Sequence, residues 1–168
     1  YRSLLIHYDP LHLSYGQLLD FVRSMLEREQ EYSLPEPRLV EIPTLYGGEF
    51  GPDLPFVAEH NSLSVEEVIR LHSGATYLVY MLGFSPGYAY LGGLPEAIAT
   101  PRLSTPRTLV PAGTVALAGR QTGIYPIATP GGWRLIGRTP LKLFDPVQDP
   151  PTLLQAGDRV RFVPISEQ

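Results

Sequence analysis

Glycine and proline punctuate residues 82–146 every few positions. The segments between them are short apolar runs, such as residues 115–118 and 133–136. A helix of ordinary length cannot form between breakers this closely spaced. Short strands joined by tight turns can form there, and that pattern is typical of a β-sandwich or a β-barrel. The stretch therefore predicts a domain built almost entirely from strands.

The beginning of the chain has a different, α/β pattern. Residues 1–8 predict a strand, residues 15–30 a helix, and residues 38–43 a second strand. Ser14 and Gln17 have the spacing of a capping box, which marks the start of the helix. We interpret the apolar stripe along this helix as core that packs against a sheet.

Two shorter helices follow, over residues 54–60 and 65–72. Ser64 and Glu67 form a second capping-box pattern, and Gly74 is a suitable helix stop. Strand-and-turn composition begins directly after that glycine. We therefore expect an α+β protein with a small α/β lobe at residues 1–73 and a β-barrel at residues 74–168.

Composition narrows the classes of function. The 168 residues carry a net charge of −4, which argues against the basic face of a nucleic-acid-binding protein. Cysteine is absent, which excludes disulfides, thiolate nucleophiles and cysteine-based metal sites, and agrees with a cytoplasmic protein. No apolar run approaches the roughly 20 residues of a membrane span. We expect neither a bound metal nor a membrane contact.

Familiar catalytic signatures are also missing. The sequence contains no phosphate-binding loop of the Walker type, no GxGxxG after a strand and no HExxH, and its one GxSxG match is GFSPG at residues 83–87. Ser85 is followed by Pro86, which restricts the backbone of the serine, and we therefore do not interpret this segment as a nucleophile elbow. The four histidines show no metal-ligand spacing among themselves. The sequence therefore does not predict a nucleophilic or metal-dependent catalyst.

The remaining candidates form a small anion-binding pocket within the glycine-rich blocks. Arginine offers a planar fork of donors for a carboxylate, glutamine and tyrosine are neutral hydrogen-bond partners, and tryptophan can form a wall. We expect the cleft to contain Arg107, Gln121, Tyr125 and Trp133, with Gly131 and Gly132 at its rim and with either Arg107 or Arg138 as the carboxylate ligand. Further candidates are His72, Glu49, Asp53, Pro86 and Gly87.

Three long blocks resemble one protein family. GFSPGYAYLGGLP, TPRTLVPAGTVALAGRQTGIYPIATPGGW and IGRTPLKLFDP are similar to the signature of the KipI family, whose members are also called the B subunit of 5-oxoprolinase (PxpB) or allophanate hydrolase subunit 1. YGGEFGPDL, SVEEVIRLH and the opening YRSLLIHYDP extend the likeness along the chain. The resemblance implies a cyclophilin-like β-barrel behind the small N-terminal lobe.

The same resemblance implies a function. Members act as one component of a complex that hydrolyses 5-oxoproline to L-glutamate with ATP and magnesium. The implied partners are a KipA or PxpC-type subunit and a PxpA-type subunit. We expect this chain to be inactive alone and to bind no cofactor by itself.

Two other functions fit the family. KipI inhibits a histidine kinase, in which case the barrel is a protein-interaction module and a sensor kinase is the partner. Urea carboxylases contain similar lobes, in which case this chain is a carboxyltransferase lobe that accepts the carboxyl group. No Met-Lys-Met biotinylation motif occurs in the chain. Prolyl isomerase activity does not follow from a cyclophilin-like fold alone.

The chain opens directly in a strand-like pattern, without methionine or a leader. Family members carry a further strand and helix before this point, so we expect the N-terminal lobe to be incomplete here. The missing segment is then supplied by the full-length protein or replaced by an oligomer contact, since the sheet edge and helix stripe are otherwise uncovered.

Overall fold

The structure, a computed structural model, describes residues 3–28 and 36–166. It divides the chain into two units, Tyr1–Glu36 and Pro37–Gln168. The division differs from the expected lobe boundary near residue 74. The reason is that residues 39–46, assigned to the N-terminal lobe from local pattern, pair with a strand near the end of the chain.

The first unit contains helix α1, Tyr15–Glu27. Its capping box is present as predicted: Oγ of Ser14 accepts the N–H of Gln17, and the Gln17 side chain accepts the N–H of Ser14. Residues 29 and 30 of the predicted helix lie outside the described residues. No α1 residue is buried, so the interpretation of its stripe as core packed on a sheet is wrong for the structure described. Phe21 is 59% exposed and Leu26 is 64% exposed.

The strand predicted over residues 1–8 is not present in its described part. Residues 3–9 have no regular structure, and Leu4 and Leu5 are exposed. A strand needs a neighbouring strand to satisfy its N–H and C=O groups, and the described part of the first unit offers none. Leu4 and Ile6 instead line a shallow groove with the apolar face of α1.

The second unit begins with strand β1, Leu39–Tyr46, and helices α2, Leu54–His60, and α3, Val65–Gly74. The remaining strands are β2 Tyr77–Leu82, β3 Ala89–Gly92, β4 Arg107–Val110, β5 Thr114–Ala118, β6 Gln121–Ile124, β7 Thr129–Gly131, β8 Arg134–Arg138 and β9 Arg159–Pro164. A 3₁₀ turn, Glu96–Ile98, follows β3. The Ser64–Glu67 capping box opens α3 as predicted.

Within residues 36–166, seven strands form a closed barrel in the order β1-β8-β5-β6-β3-β2-β9. Strands β1 and β9 run parallel, with Leu39 opposite Arg159 and Ile42 opposite Phe162, and the other neighbouring pairs are antiparallel. Strands β4 and β7 form a separate two-stranded sheet. The α+β barrel expected from the sequence is confirmed.

The main core lies inside the barrel and under α2 and α3. Six strands contribute large, fully buried side chains to this core: Ile42, Tyr77, Leu91, Leu117, Ile136 and Phe162. A second, smaller cluster packs around Tyr88, Tyr125 and Leu135, with Tyr90 and Trp133 partly buried against it. This second cluster forms the base of the candidate site.

Candidate aromatic pocket

A pocket of about 400 Å³ opens over the second cluster. We call it the aromatic pocket, and its lining consists of Phe84, Tyr88, Tyr90, Arg102, Pro106, Gln121, Tyr125, Pro130, Gly131, Gly132 and Trp133. Its volume is near the lower end of the range for small-molecule sites. Most of the lining is aromatic or proline, with one charged side chain, so the pocket suits a small ligand that has an apolar face and few polar groups.

Barrel register brings the walls of the pocket together. Leu91 of β3 lies opposite Thr122 of the antiparallel strand β6, which places Tyr90 beside Gly123 and on the same face of the sheet as Gln121. A Cβ on Gly123 would meet the Tyr88 hydroxyl at 2.7 Å, so that glycine makes room for the ring. The opposite wall is the turn between β7 and β8, held by a hydrogen bond of 2.7 Å from the N–H of Leu103 to the carbonyl of Gly132.

Tyr88 is the centre of the aromatic lining. Its ring centroid lies 5.3 Å from that of Tyr90, 5.6 Å from Tyr125, 5.9 Å from Trp133 and 5.4 Å from Phe84, each in an edge-to-face arrangement. Such geometry sets the positive edge of one ring against the negative face of another. Because Tyr88 is only 2% exposed, these contacts fix the shape of the pocket base.

The two buried tyrosines are held in the neutral form. Burial raises the pKa of Tyr88 far above its usual range, helped by the neighbouring Tyr125 and Tyr90 and opposed by Arg102. Burial also raises the pKa of Tyr125, against the opposing effects of the Trp133 backbone N–H, Arg102 and Arg107. Both hydroxyls therefore keep their protons at neutral pH and can donate hydrogen bonds.

Gly131 is a packing requirement of the pocket rim. A methyl group at this position would overlap the Tyr125 hydroxyl, which packs directly against the glycine Cα. Gly132 is different, since the nearest atom to a methyl there is Cγ of Pro106 at 3.5 Å, an ordinary contact. Only the first of these two predicted rim glycines is thus required by close packing.

Two polar side chains in the lining lack a partner that they could bind: a hydrogen-bond acceptor for one and a carboxylate for the other, among the described residues. Nε2 of Gln121 is buried and has no hydrogen-bond acceptor. Arg102 is exposed at the mouth of the pocket and has no carboxylate partner in residues 3–28 and 36–166. A ligand that offers a hydrogen-bond acceptor deep in the pocket and an anion at its mouth would satisfy both.

Arg107, expected in the pocket, is instead engaged behind it. Its Nη2 donates to Oδ1 of Asp53 over 2.8 Å, and Nη1 makes a longer contact of 3.5 Å with the carbonyl of Trp133. Asp53 is 8% exposed and its other oxygen accepts the N–H of Leu135 at 2.7 Å. The pair connects β4 to the start of α2 and to β8, directly under the Trp133 wall.

Arg138 lies in a different cavity of about 420 Å³, with Lys142, Phe50 and Gly113 among its lining residues. Its Nε donates to the carbonyl of Ala112 over 3.0 Å. Pro86 and Gly87 line a third, more open hollow beside Phe144. Glu49 is exposed in the turn after β1 and lines none of the three. This alternative carboxylate ligand thus lies in another place, because Arg138 ends β8 whereas Trp133 of the aromatic pocket precedes the first residue of that strand.

His72 is buried in the barrel interior. Its Nδ1 lies 2.7 Å from the Tyr46 hydroxyl and its Nε2 lies 2.9 Å from Oγ1 of Thr122. Thr122 donates its own proton to the carbonyl of Ala116, so it accepts from Nε2–H, and Tyr46 donates to Nδ1. Burial lowers the pKa of His72 to about 3. A neutral, doubly bonded histidine inside the core is a structural group and lines none of the three cavities.

The structure thus brings together five of the seven main predicted residues: Gln121, Tyr125, Gly131, Gly132 and Trp133. Their role in binding a substrate stays a prediction. Sequence reasoning missed Phe84, Tyr88, Tyr90, Arg102, Pro106 and Pro130. A signal for the two tyrosines was available, since they are two residues apart in a strand-like run and therefore share a face.

Residues 3–28 and 36–166 show no sign of two other classes of site. They contain no group of three or more histidine, aspartate or glutamate side chains placed to hold a metal ion. None of the helices they form has the length and apolar character required to cross a membrane.

Comparison with known proteins gives the family. The chain is 58% identical over 149 residues to the B subunit of 5-oxoprolinase from Bacillus subtilis (strain 168), and the match covers 89% of this chain and 62% of that protein. It is also 58% identical over 139 residues to the B subunit of 5-oxoprolinase from Escherichia coli O157:H7, with coverages of 83% and 64%. The chain therefore spans less than two thirds of the length of these curated relatives.

A solved structure is also similar. The crystal structure of a conserved uncharacterized protein from Pyrococcus horikoshii superimposes with a TM-score of 0.75 at 52% identity, covering 95% of this chain and 73% of that one. These matches confirm the resemblance to the KipI family. The model of the family described as carboxyltransferase domain, subdomain C and D, matches residues 1–154, and the protein belongs to that family.

Proposed function

We propose that this chain is part of a subunit of an ATP-dependent 5-oxoprolinase, and that the aromatic pocket receives the lactam. The observation that carries the proposal is the 58% identity to two proteins that are each named as the B subunit of 5-oxoprolinase. The pocket supports it, since its volume of about 400 Å³ and its aromatic walls suit a small ring.

The chemistry explains why such an enzyme needs no nucleophilic side chain in this chain. A five-membered lactam is a poor electrophile because resonance delocalises its nitrogen lone pair into the carbonyl. Transfer of the γ-phosphoryl group of ATP to the lactam oxygen gives a phosphorylated imidate and ADP. Water adds to the activated carbon and the ring C–N bond breaks, which leaves an acyl phosphate that a second water hydrolyses to glutamate and phosphate. Such steps need positioning and oriented donors.

We assign the different tasks to different subunits. This chain supplies the aromatic pocket, with donors for the lactam and its carboxylate. ATP with magnesium belongs to the assembled complex, in which we expect a KipA or PxpC-type partner and a PxpA-type partner. The described residues of this chain provide no cluster of acidic or histidine side chains for the metal.

Reconstitution tests the proposal. The full-length protein containing this chain is assayed for 5-oxoproline-dependent ATP hydrolysis, alone and with its two partner subunits. We expect turnover only when all three are present and none from this protein alone. Robust turnover by this protein alone, or undiminished turnover by the partners without it, would refute the subunit role.

The family description favours one second candidate, a carboxyltransferase lobe that accepts a carboxyl group. That reaction consumes bicarbonate, whereas lactam hydrolysis does not. Incorporation of labelled bicarbonate by the assembled complex therefore separates the two functions. We expect ATP hydrolysis driven by 5-oxoproline to proceed without bicarbonate and to incorporate no label.

A further inference from the structure

The amide of Gln121 is the polar group in the aromatic pocket whose hydrogen bonding is incomplete. Its nitrogen is buried and no acceptor lies within reach among the described residues. Burial of an amide donor without a partner is unfavourable, so such groups in native proteins are usually satisfied by a ligand, an ion or water. The surrounding walls are rings and prolines, which offer few alternative partners.

The backbone of Gln121 is fixed independently of this amide. It begins β6, where Gln121 lies opposite Ala118 of β5 and the next residue, Thr122, lies opposite both Leu117 and Leu91. Ladder hydrogen bonds thus hold the main chain on both sides of the strand. The side chain is therefore not needed to hold the strand, and recognition requires a rotamer that turns the amide, whose nitrogen is enclosed here, into the pocket.

We infer that Gln121 recognises the cis amide of a small lactam through a pair of hydrogen bonds. A primary carboxamide presents an N–H donor and a carbonyl acceptor side by side. A five-membered lactam is cis by ring closure, so its own N–H and C=O also lie side by side and match that pattern. An open-chain secondary amide is almost always trans and presents the two groups on opposite sides. This inference rests on the proposed function and names the residue that selects the substrate class.

The rest of the pocket fits the other parts of such a ligand. Tyr88 and Trp133 lie at right angles with centroids 5.9 Å apart, so together they form a corner against which the ring carbons can pack. Arg102 at the mouth has no carboxylate partner in the described part of the chain and would pair with a carboxylate next to the ring nitrogen. A lactam with an adjacent carboxylate therefore occupies base, wall and mouth together.

The paired contact also favours the reaction. Acceptance of the lactam N–H by the Gln121 oxygen increases electron density on the lactam oxygen, the atom that attacks phosphorus. The donor N–H of Gln121 uses the oxygen lone pair on the side of the ring nitrogen, and the other lone pair remains available for the phosphoryl group. Gln121 is thus a specificity-determining residue that also sets the orientation of the nucleophilic oxygen.

Equilibrium binding to the full-length protein, assembled with its partner subunits, tests the inference without depending on turnover. Isothermal titration calorimetry compares 5-oxoproline with N-methyl-5-oxoproline, which cannot donate the lactam hydrogen bond. On the wild-type protein we expect N-methylation to weaken binding at least about tenfold. This comparison requires no variant and so cannot be confused with misfolding.

The variant Gln121→Met keeps the length of the side chain and removes both polar groups. We expect it to bind 5-oxoproline at least about tenfold more weakly and to lose the preference over the N-methyl compound. Arg120→Gln is the matched control, because Arg120 is adjacent but exposed and pairs with Glu96. The control should keep wild-type affinity and preference.

The results that would overturn the role of Gln121 differ from those that would overturn the proposed function. Equal weakening of both ligands by Gln121→Met, unchanged binding, or no preference in the wild-type protein would overturn the role of Gln121. If the complex then still hydrolyses ATP with 5-oxoproline, the proposed function stands without it. Gln121-dependent lactam binding by a complex that shows no such turnover would instead overturn the proposed function and support the inference.

Discussion

Asp53 binds Arg107 with one carboxylate oxygen and the backbone of Leu135 with the other, over 2.8 Å and 2.7 Å. The Asp53 N–H also donates to the Leu135 carbonyl over 2.9 Å. Asp53 therefore binds both backbone polar groups of Leu135, in the barrel, and the side chain of Arg107, in the separate two-stranded sheet. It connects the barrel to the wall of the aromatic pocket.

Replacement of Asp53 by alanine should destabilise the protein by about 2–3 kcal/mol in urea denaturation. The expected loss is below the range for fully buried pairs because the Arg107 side chain is 30% exposed. The variant leaves the Leu135 N–H without its side-chain acceptor and the guanidinium without its counter-ion. Glu96→Ala is the control, since its pair with Arg120 is 76% and 71% exposed and should contribute less than about 1 kcal/mol. Equal losses in both variants would contradict this role.

Gly131→Ala should destabilise the protein by about 1–3 kcal/mol, because a methyl there overlaps the Tyr125 hydroxyl. Gly132→Ala, with its nearest neighbour at 3.5 Å, should change the free energy of unfolding by less than about 0.5 kcal/mol. Two ring carbons of Tyr125 also lie within 2.9 Å of such a methyl group, so in the background of Tyr125→Leu, which removes the ring and the hydroxyl, Gly131→Ala should cost much less. Thermal and urea unfolding check these variants, and an equal cost in both backgrounds would show that the overlap is not the cause.

The free energy of unfolding should decrease as the pH falls, because His72 is buried in its neutral form. Burial lowers its folded-state pKa to about 3 from an ordinary value of 6.5, so between these values the unfolded chain binds a proton and the folded chain does not. This contribution is absent above pH 6.5 and costs about 1.4 kcal/mol per pH unit as pH falls toward 3.

The variant His72→Gln removes that titration. We expect it to be less stable than the wild type at pH 7, since it loses ring contacts such as the one with Phe162 at 4.5 Å. Between pH 6 and pH 4, however, its stability should fall less steeply, by about 1.4 kcal/mol per unit. Parallel pH profiles of the two proteins, measured by urea denaturation, would show that His72 does not carry the dependence.

Hydrogen exchange should distinguish α1 from the barrel. No α1 residue is buried, whereas every residue of β5 is. We expect protection in α1 of the monomeric 168-residue chain to be at least about 100-fold lower than in β5. Equal protection would mean that this helix is stabilised by more than its own capping box. Binding of a partner or a further segment to the apolar face should raise α1 protection selectively.

Local sequence signals predicted local structure well. Both capping boxes formed where the Ser-x-x-Gln and Ser-x-x-Glu spacings indicated, and α2 has the predicted bounds, residues 54–60. These features depend on neighbours within a few positions. The prediction of a strand over residues 1–8 was wrong in its described part. A strand depends on a neighbouring strand, which local composition does not reveal.

The site was predictable only in part. Gln121, Tyr125 and Trp133 share a pocket because they flank strand ends within one block of sequence. Arg107 and Arg138 have the same chemistry but different surroundings: the first meets Asp53, 54 positions earlier, and the second lies in another cavity. The partner of a charged side chain is decided by tertiary register, which residue type and spacing do not encode.

The barrel closes by pairing of β1 with β9, so it cannot form until both strands have been synthesised. Arg38 holds Asp158 over 2.6 Å at the beginning of this seam, across 120 positions of sequence. During translation β1 leaves the ribosome early and must wait, with an unpaired edge, until the final residues of β9 emerge. Contacts of such long range also slow folding. The interval between synthesis of the first and last barrel strands is therefore when a nascent chain of this protein most needs chaperone protection.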